Sequence, residues 1–396
     1  MSQRLVAAPG GTPINFDLDE PQRNFLAGLR DFLDGTDLSR FIGANESVAL
    51  ENEADRSFFE HLNEAGWQGI AWPVEFGGKG GTATEQWLYL EELSHRRLPR
   101  GDLTISSIGP ALMEFGTEQQ KAAYLPGILS REVVFGVGYS EPDAGSDLAS
   151  LRTRAVLDGD EWVIDGQKVF ITSAHYSSHI WLAVRTDPNS VKREGISVVI
   201  VESDAPGLTI TNMATQADGI TNELFFDSVR VPRSALVGEV NEGWRIIRAA
   251  LDYERNFPYS GLARDLEDLI EWAHARSVTT GAAPIDDPPT EATLAVMAAD
   301  MEVARLFAAR VAAAIDSGEA PTAMASMSKI WTSELRERVA SQGLQMLGRD
   351  GQRHSEDSSL SIEQIYRWTP MMKIGGGTNE VQRDIISSQG LGLPRT

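Results

Sequence analysis

A turn rich in hydroxyl groups and glycine follows a predicted strand about a third of the way along the chain. It reads GYSEPDAGSD from Gly138, and it offers the hydroxyl groups of Ser140 and Ser146 together with the backbone N–H groups of residues 143–145. Such a turn can donate hydrogen bonds to the carbonyl or phosphate oxygens of a ligand. The same composition also suits a surface loop without a ligand, and the residues alone leave both interpretations open.

An aromatic ring and a hydroxyl group alternate with an aliphatic residue further along the chain. In GQKVFITSA, Phe170 and Thr172 stand on either side of Ile171. Successive side chains of a strand point to opposite faces, so Phe170 and Thr172 share one face. They could contact a flat heterocyclic ligand, or they could pack within the sheet.

Three consecutive glycines, residues 375–377, precede Thr378 and Asn379 near the C-terminus. Glycine loses the most backbone freedom when it is ordered, so such a run marks a turn or a close approach to something bound. The apolar spacing of NEVQRDII, which comes next, indicates a helix. The glycine turn is therefore expected directly before a helix.

The composition excludes several classes of function. The 396 residues contain no cysteine, which excludes disulfides, thiolate metal sites and cysteine nucleophiles. The net charge of −22 argues against a nucleic-acid partner, and it requires any anionic ligand to be held by local donors. We find no apolar run of about 18 residues and no secretory signal, so the cytoplasm is the expected compartment. His175 and His179 have a spacing seen in metal sites, but further ligands are lacking and no metal site is predicted.

The chain divides into three zones of composition, which predict an α+β fold. Apolar residues at helical spacing fill residues 16–129, and short β-branched and aromatic segments fill residues 132–238. Hairpin-type turns are predicted at DGDEW and IDGQK, and one N-terminal helix, EFGTEQQKAAYLPGIL, is predicted to stop at Pro126-Gly127. Long amphipathic helices typical of a bundle return from residue 239. We therefore predict an N-terminal helical domain (1–130), a middle β domain (131–238) and a C-terminal helical bundle (239–396).

Together these motifs resemble those of the acyl-CoA dehydrogenases, flavoproteins in which a helical domain, a β-barrel-like domain and a four-helix bundle follow one another. SEPDAGSD is similar to their flavin- and substrate-binding loop, FITSA to their flavin-stacking strand and GGGTNEVQR to their C-terminal signature. FGTEQQKAAYLP and FFDSVRVPRSALVGEVNEGW also follow patterns of the family, so the resemblance covers nearly the whole chain. It implies the acyl-CoA dehydrogenase fold, FAD as the cofactor and dehydrogenation of an acyl-CoA thioester to the trans-2-enoyl-CoA.

The resemblance also implies roles for individual residues. The residues that match cofactor-binding positions of the family are Tyr139, Ser140, Gly145, Ser146, Phe170, Ile171, Thr172, Gly377, Thr378 and Asn379. Those that match substrate-binding positions are Ser146, Asp252 and Arg255. The hydride would pass from the β-carbon of the substrate to flavin N5, and the electrons would then leave to an electron-transferring flavoprotein.

The catalytic base of most family members is missing from its usual position. Those members carry a glutamate directly before the Gly-Thr of the signature, where this chain has Gly376, whose backbone N–H would help to hold the thioester carbonyl. Some members, among them isovaleryl-CoA dehydrogenases and actinobacterial steroid side-chain enzymes, place the base on the first long helix after the β domain. Glu254 in LDYER matches that position, and Pro258 is expected to kink or break the helix near it. The alternative interpretation of Glu254 and Arg255 is a solvated helix face.

Two patterns that serve the adenine and pyrophosphate end of FAD in the family are incomplete. The Arg-x-x-Phe-Gly pattern is reduced to Arg276, and the later glycine-rich pattern has Arg349 at its second glycine. Either FAD is held differently or a related polypeptide supplies these contacts, so the resemblance implies a homotetramer or a heterotetramer with a related subunit. The remaining alternatives are a flavin-dependent monooxygenase or oxidase on the same fold and a catalytically silent subunit. Lipid metabolism, through fatty acid or steroid side-chain oxidation, is the expected process.

Overall fold

The N-terminal part of the chain is helical. The structure is a computed structural model that describes residues 17–39, 41, 53–254, 259–275, 281–352 and 362–394. The described N-terminal helices are α1 (Glu20–Asp34), α2 (Glu53–Glu64), α3 (Ala83–His95), α4 (Gly109–Phe115) and α5 (Glu118–Ser130). Asp19, Thr82 and Thr117 begin α1, α3 and α5 with capping boxes, which satisfy N–H groups that have no partner inside a helix. The apolar faces of α1, α2 and α3 meet around buried residues such as Leu62 and Leu93.

The prediction that a helix stops at Pro126-Gly127 is wrong, because α5 continues through both residues. Pro126 removes one backbone hydrogen bond, but the burial of Ile128 and Leu129 holds the last turn in the helix. Gly127 serves close packing instead of a turn, since a Cβ at this position would lie 2.5 Å from the side chain of Val133.

The middle part of the chain forms one mixed sheet. Its described strands are β1 (Phe135–Gly138), β2 (Arg154–Asp158), β3 (Glu161–Thr172), β4 (His179–Arg185), β5 (Ile196–Glu202), β6 (Leu208–Ala214), β7 (Ile220–Pro232) and β8 (Leu236–Val237). The order is β6-β7-β3-β2-β4-β5-β8, and β1 pairs in parallel with β4. The predicted hairpin at DGDEW joins β2 to β3, whereas the hairpin predicted at IDGQK is wrong because this segment lies inside β3. Gly166 of IDGQK lies at an irregularity of the β3–β7 pairing, where a Cβ would come within 2.6 Å of Thr153 Oγ1.

Helices return after the sheet and form the C-terminal part. The described ones are α6 (Gly243–Glu254), α7 (Ser260–His274), α8 (Pro288–Asp316), α9 (Thr322–Leu347), α10 (Ile362–Ile374) and α11 (Asn379–Ile385). The predicted α+β organisation is thus confirmed, and the predicted domain boundaries fall between α5 and β1 and between β8 and α6. No described helix combines the length and apolarity that crossing a membrane requires.

Strands β4 and β5 are buried on both faces. Ile180 and Leu182 pack with the rest of the sheet, whereas Trp181 and Ala183 pack against α4, α5 and α6. This two-sided burial explains the nearly continuous apolar runs HIWLAVR and ISVVIVE. The sheet therefore shares one hydrophobic core with the N-terminal helices and with the first helix of the C-terminal part.

Two carboxylates join the N-terminal helices to the C-terminal bundle. Asp316, at the end of α8, accepts hydrogen bonds from the first two N–H groups of α3 at 2.6 and 3.0 Å. Glu91, in α3, accepts from the N–H groups of Tyr259 and Ser260 at the start of α7, at 3.2 and 2.8 Å. The first N–H groups of a helix have no partner inside it and carry partial positive charge, so a carboxylate is well placed there.

The carboxyl group of Glu91 is fully buried between α3 and α7. Burial raises the pKa of Glu91 from 4.5 to about 7, against the opposing effect of hydrogen bonds from Ser260, Tyr259 and Trp87. The indole Nε1 of Trp87 donates to this carboxyl group at 2.6 Å. The folded chain therefore holds a proton on Glu91 at pH values where the unfolded chain releases it.

The change Glu91→Gln removes this titration. Because the pKa of Glu91 is higher in the folded chain, its contribution to stability is full below pH 4.5 and is lost as the pH rises to about 7. We expect the free energy of unfolding of the wild-type chain, measured by urea denaturation, to fall relative to that of Glu91→Gln across this range. Parallel pH curves for the two proteins contradict the prediction. Glu118→Gln, at an exposed carboxylate of the same helical part, is the control for the loss of one negative charge.

Candidate active site

A bulge in β3 presents an aromatic ring to the solvent. The pairing of β3 with β7 is irregular between Lys168 and Ile171, where two β3 residues stand opposite one β7 residue. Phe170, one of these two residues, has a φ of 61° and is 67% exposed. A positive φ is unusual for a bulky residue and marks a constrained backbone. Thr172 is exposed and Ile171 is buried, so the predicted alternation is confirmed.

The loop GYSEPDAGSD is held against this bulge by three hydrogen bonds. The N–H of Val169 donates to the carbonyl of Ser140 at 2.9 Å. The ammonium group of Lys168 donates to the carbonyl of Tyr139 at 3.0 Å and to Glu141 Oε1 at 2.8 Å. Three consecutive loop residues are thereby attached to two consecutive strand residues, which fixes the loop relative to the bulge.

Glu141 also closes the loop at its base. Its carboxylate accepts from the N–H groups of Arg152 and Thr153, just before β2, at 2.7 and 2.8 Å. The residues in between form a closed loop whose tip exposes Gly145 and Ser146. Gly145 and Ser146, two of the predicted donor residues, therefore lie at the tip of a loop with a fixed base, whereas the N–H of Ala144 donates to the carbonyl of Glu141 at 3.1 Å.

Lys168 and Glu141 form a buried ion pair at neutral pH. Burial alone would raise the pKa of Glu141, but the charge of Lys168 and the N–H of Thr153 outweigh it and hold this pKa below its usual range. Burial lowers the pKa of Lys168 to about 8, against the attraction of Glu141. Lys168 is 0% exposed, so its charge is compensated within the protein and not by solvent.

The glycine run forms a tight turn between α10 and α11. Gly376 and Gly377 have φ values of 65° and 89°, in the region that favours glycine. Gln382 Nε2 donates to the carbonyl oxygens of both residues, at 2.9 and 3.3 Å. Gln382 is 0% exposed, so these two carbonyl groups point into the protein.

The same hydrogen bonds turn two N–H groups outward. The carbonyl and the N–H of one peptide group point in opposite directions. The N–H groups of Gly377 and Thr378 therefore face away from Gln382. Within the described part of the chain, neither they nor the N–H of Gly376 have a hydrogen-bond acceptor. A row of N–H groups of this kind can bind a carbonyl or phosphate oxygen.

A second buried lysine fixes both ends of the glycine turn. Lys329 of α9 donates to the carbonyl of Lys373 at 3.1 Å, near the end of α10, and to Asn379 Oδ1 at 2.8 Å, at the start of α11. Asn379 Nδ2 donates to Ser333 Oγ at 3.1 Å, and Thr378 caps α11 with its hydroxyl group. The side chain of Asn379 is thus used inside the bundle, and contact with a cofactor would have to involve its backbone.

A cleft of about 540 Å³ adjoins the glycine turn and is lined by α9, α10 and α11. Its charged lining residues are Glu334, Glu337, Arg338, Lys373, Glu380 and Arg383. Lys373 pairs with Glu337 at 2.9 Å, and Arg383 pairs with Glu334. Acids and bases balance here, so the cleft lacks the excess positive charge that favours a phosphate group.

The predicted base and its neighbours lie largely outside the described structure. Glu254 is the last described residue of α6. The side chains of Asp252 and Glu254, and the whole of Arg255, Pro258 and Arg276, lie outside the described residues. Their predicted roles therefore remain predictions.

A residue of the N-terminal part of the chain holds the last turn of α6 in place. Ser107 Oγ donates to the carbonyl of Ala250 at 2.7 Å. Ser107 lies in a π-helical turn, Thr104–Ile108, which is an uncommon conformation that often occurs at functional sites. The N-terminal domain therefore helps to set where α6 carries Glu254.

Two predicted cofactor-binding residues have their side chains in the core. The hydroxyl group of Tyr139 accepts from Trp181 Nε1 at 3.1 Å, and Ile171 packs inside the sheet. Any contact of these two residues with a ligand would have to use backbone groups. The predicted residues that remain at least partly exposed are Ser140, Gly145, Ser146, Phe170, Thr172, Gly376, Gly377 and Thr378.

Arg367 connects the bundle to the sheet. It donates to the carbonyl of Gln216 at 2.7 Å and pairs with Asp218 at 2.5 Å, both in the turn between β6 and β7. It also pairs with Glu363 of its own helix at 2.6 Å. Helix α10, which leads into the glycine turn, is thereby fixed to the sheet that carries Phe170.

Sequence reasoning assigned no role to four residues that hold the site in place, namely Glu141, Lys168, Lys329 and Gln382. Each is a polar residue whose partners are backbone or side-chain groups of an irregular segment. Gln382, for example, precedes Ile385 and Ile386 by three and four residues, so the helical pattern favours an apolar residue there. That departure from the pattern is the signal that could have revealed it.

The two histidines of SAHYSSH have partners other than a metal. His175 Nδ1 lies 2.9 Å from Asn222 Oδ1, and His179 Nδ1 lies 2.9 Å from Ser178 Oγ. Among the residues that the structure describes, no group of three or more His, Asp or Glu side chains could hold a metal ion.

Three family profiles match successive parts of the chain. Those for the acyl-CoA dehydrogenase N-terminal, middle and C-terminal domains match residues 19–132, 136–229 and 241–391. Over 394 residues the chain is 35% identical to acyl-CoA dehydrogenase FadE29 of Mycobacterium tuberculosis. The alignment covers 96% of this chain and 98% of that protein.

Solved structures show the same similarity over nearly the whole chain. A chain of the Tcur3481-Tcur3483 steroid ACAD is 36% identical with a TM-score of 0.87, covering 97% of this chain and 100% of that one. A chain of the ChsE4-ChsE5 complex from Mycobacterium tuberculosis is 34% identical with a TM-score of 0.86 and the same coverage.

The two ends of the glycine run should respond differently to an added methyl group. Gly377→Ala places a Cβ 2.8 Å from Gln382 Nε2 on a backbone with a φ of 89°. The left-handed backbone alone costs about 1–2 kcal/mol. We expect a lower melting temperature together with a lower ratio of flavin to protein, measured by thermal denaturation and visible absorbance.

Gly375→Ala is the matched control. A Cβ at this position meets only the carbonyl oxygen of Met371, at 3.4 Å, which is an ordinary contact. This variant should keep both the stability and the flavin content of the wild-type chain. Equal behaviour of the two variants contradicts the importance of the turn geometry.

Proposed function

We propose that this chain, which belongs to the acyl-CoA dehydrogenase family, uses the carboxylate of Glu254 as a base and the N–H of Gly376 as a donor to the substrate carbonyl. The chain is an FAD-dependent oxidoreductase that converts an acyl-CoA thioester to the trans-2-enoyl-CoA. The observation that carries the proposed roles is the glycine turn between α10 and α11. This turn directs the N–H groups of Gly377 and Thr378 outward, leaves the N–H of Gly376 without an acceptor among the described residues, and has no carboxylate at position 376.

The exposed residues of the site fit a flavin. A flat ring system with polar edges needs an apolar surface for its face and hydrogen-bonding groups for its rim. The exposed ring of Phe170 offers such a surface, and the hydroxyl of Thr172 lies on the same side of β3. Ser140 and Ser146 supply further hydroxyl groups from the neighbouring loop. When bound, FAD accepts the hydride that leaves the β-carbon of the acyl group.

The chain's own residues have to remove a proton and stabilise the resulting charge. As the α-proton leaves, negative charge develops on the carbonyl oxygen of the thioester, and N–H donors fixed in advance stabilise it. We assign this role to the N–H of Gly376, supported by the fixed turn around it. The carboxylate of Glu254 accepts the α-proton.

The backbone of the glycine turn supports the assignment of these two roles to different elements. Gly376 has a φ of 65°, a conformation that residues with a side chain rarely adopt. A glutamate at this position would be strained in the present turn. A base on another element fits this geometry, and Glu254 on α6 is the residue that matches the family's second base position.

A bulky acyl group is the proposed substrate class. One of the similar solved structures is named as a steroid ACAD, at 36% identity. The absence of side chains at residues 375–377 is compatible with a large group near the thioester. We therefore place thioesters of steroid side chains and branched acyl groups ahead of straight chains.

A second candidate function is that of one subunit in a mixed assembly. Two similar solved structures carry the names of two polypeptides each, and this chain covers nearly the whole of the matched chain in both. Arg349 is exposed in place of a glycine of the pattern that serves the adenine end of FAD. We propose that a related subunit supplies contacts to that end, and that an electron-transferring flavoprotein accepts the electrons.

The change Glu254→Gln tests the base. Gln keeps the size of the side chain but cannot accept the α-proton, so flavin reduction should slow by on the order of 10²–10⁴-fold. The measurement is anaerobic flavin bleaching by the best substrate from a panel of straight, branched and steroid-derived acyl-CoA thioesters. Flavin content should be unchanged. Reduction at the wild-type rate would remove Glu254 from the mechanism. The control is Glu271→Gln, at an exposed position of α7, which should reduce its flavin at the wild-type rate.

The ratio of FAD to protein tests the mixed assembly. If a related subunit completes the cofactor site, the chain purified alone should hold less than one FAD per chain. Co-expression with that subunit should then restore a stoichiometric complex, measured by visible absorbance and light scattering. A homotetramer that is fully loaded with FAD contradicts this second candidate but leaves the dehydrogenase activity in place.

A further inference from the structure

We propose that Lys168 and Glu141 form a positioning pair, which sets the place of the loop tip relative to the exposed ring of Phe170 and thereby shapes the seat of the flavin. The inference rests on the proposed function, because it requires a flavin at this site. Both side chains are buried, so we assign them a positioning role and not contact with the reacting atoms.

The hydrogen-bond pattern supports the positioning role. The bond from Val169 to the carbonyl of Ser140 is a single attachment, about which the loop could still rotate. Lys168 adds attachments on both sides of it, to the carbonyl of Tyr139 and to the carboxylate of Glu141. Three attachments at consecutive residues fix orientation as well as distance.

Glu141 and Arg185 extend this control to the whole loop. Glu141 holds the N–H groups of Arg152 and Thr153, which close the loop beyond its tip. Arg185 of β4 donates to the carbonyl of Ala149 at 2.8 Å. The tip with Ser146 therefore lies between segments that are each bonded to the sheet.

Stability alone does not explain a charge at position 168. Burying an ion pair removes two charges from water, and their attraction often does no more than offset that cost. An apolar side chain of similar length would fill the same space. It could not, however, bond to two acceptors of the neighbouring loop. The structural consequence specific to Lys168 is therefore the attachment of the loop to the strand that carries Phe170.

The chain contains a second buried ion pair that serves as a matched control. Arg131 and Asp102 form two hydrogen bonds, at 3.0 and 2.9 Å, and both side chains are almost fully buried. Asp102 also accepts from the N–H of Thr104, and Arg131 lies over the ring of Phe59. These contacts lie within the N-terminal helical part, and none of them involves a residue of the loop or the bulge.

The test compares two double variants of the chain, purified in the assembly in which it occurs. Lys168→Met with Glu141→Gln removes both charges of the positioning pair, so no unpaired buried charge is left to unfold the protein. Arg131→Met with Asp102→Asn does the same to the control pair. Circular dichroism and thermal denaturation report folding, and flavin titration of the apoprotein reports the dissociation constant, with the visible spectrum of the bound flavin as a third measurement.

The first double variant should weaken flavin binding by about tenfold or more and change the spectrum of the bound flavin. Turnover should fall on the order of 10²-fold, the effect of displacing a reacting group by about 1 Å. The control variant should lose stability while its flavin affinity and spectrum stay those of the wild-type chain. The double variant Lys168→Gln with Glu141→Gln, which removes both charges but keeps hydrogen-bonding groups, is the fallback if the first double variant fails to fold. It should show the same spectral change in weaker form.

Two results overturn the inference while leaving the proposed function intact. One is an unchanged flavin affinity and spectrum in the folded Lys168 and Glu141 variants. The other is an equal loss of flavin in both double variants in proportion to their loss of stability. A wild-type chain that binds no flavin, alone or with a related subunit, overturns the proposed function and this inference together.

Discussion

A buried ammonium group must find acceptors, and in this chain the acceptors lie in the irregular segments of the site. Lys168 bonds to the loop that follows β1, and Lys329 bonds to both ends of the glycine turn. The desolvation of a charge is costly unless it is compensated by hydrogen bonds. Each lysine therefore restricts its segment to conformations that bring those acceptors to it. Segments that would otherwise be loops gain fixed geometry from the regular elements β3 and α9.

Because the chain carries a large negative charge, the binding of an anionic ligand depends on hydrogen-bond donors within the site. With a net charge of −22, the long-range field repels an anionic ligand such as a CoA thioester or FAD. Attraction must come from donors at contact distance, where the field of the whole protein matters less. The outward N–H groups of Gly377 and Thr378 are donors of this kind. They keep their orientation because Gln382 holds the opposite ends of the same peptide groups.

The order of helices, strands and helices could be predicted from the sequence, and so could the segments that form the candidate site. Periodicity and turn residues are local properties, as is the alternation of Phe170, Ile171 and Thr172. Prediction from the sequence failed where a contact with a distant residue decides the local structure. Helix α5 passes through Pro126 because its last turn is buried, and IDGQK stays in β3 because it pairs with β7 while its first two residues also pair with β2. The partners of buried polar residues were equally unreadable, since a sequence does not say which carbonyl a lysine will meet.

The conformation of the glycine turn favours the proposed division of proton removal and carbonyl binding between different elements. A residue with φ of 65° presents its N–H at little cost when it is glycine, but a side chain at Gly376 would add strain. The turn is positioned by α9 through Lys329, whereas α6 is positioned by the N-terminal part through Ser107. The distance between the donor and a base on α6 therefore depends on how the N-terminal helices pack against the bundle. The carboxyl groups of Glu91 and Asp316, which join those two parts by capping helices across the boundary, therefore support the geometry of the proposed site.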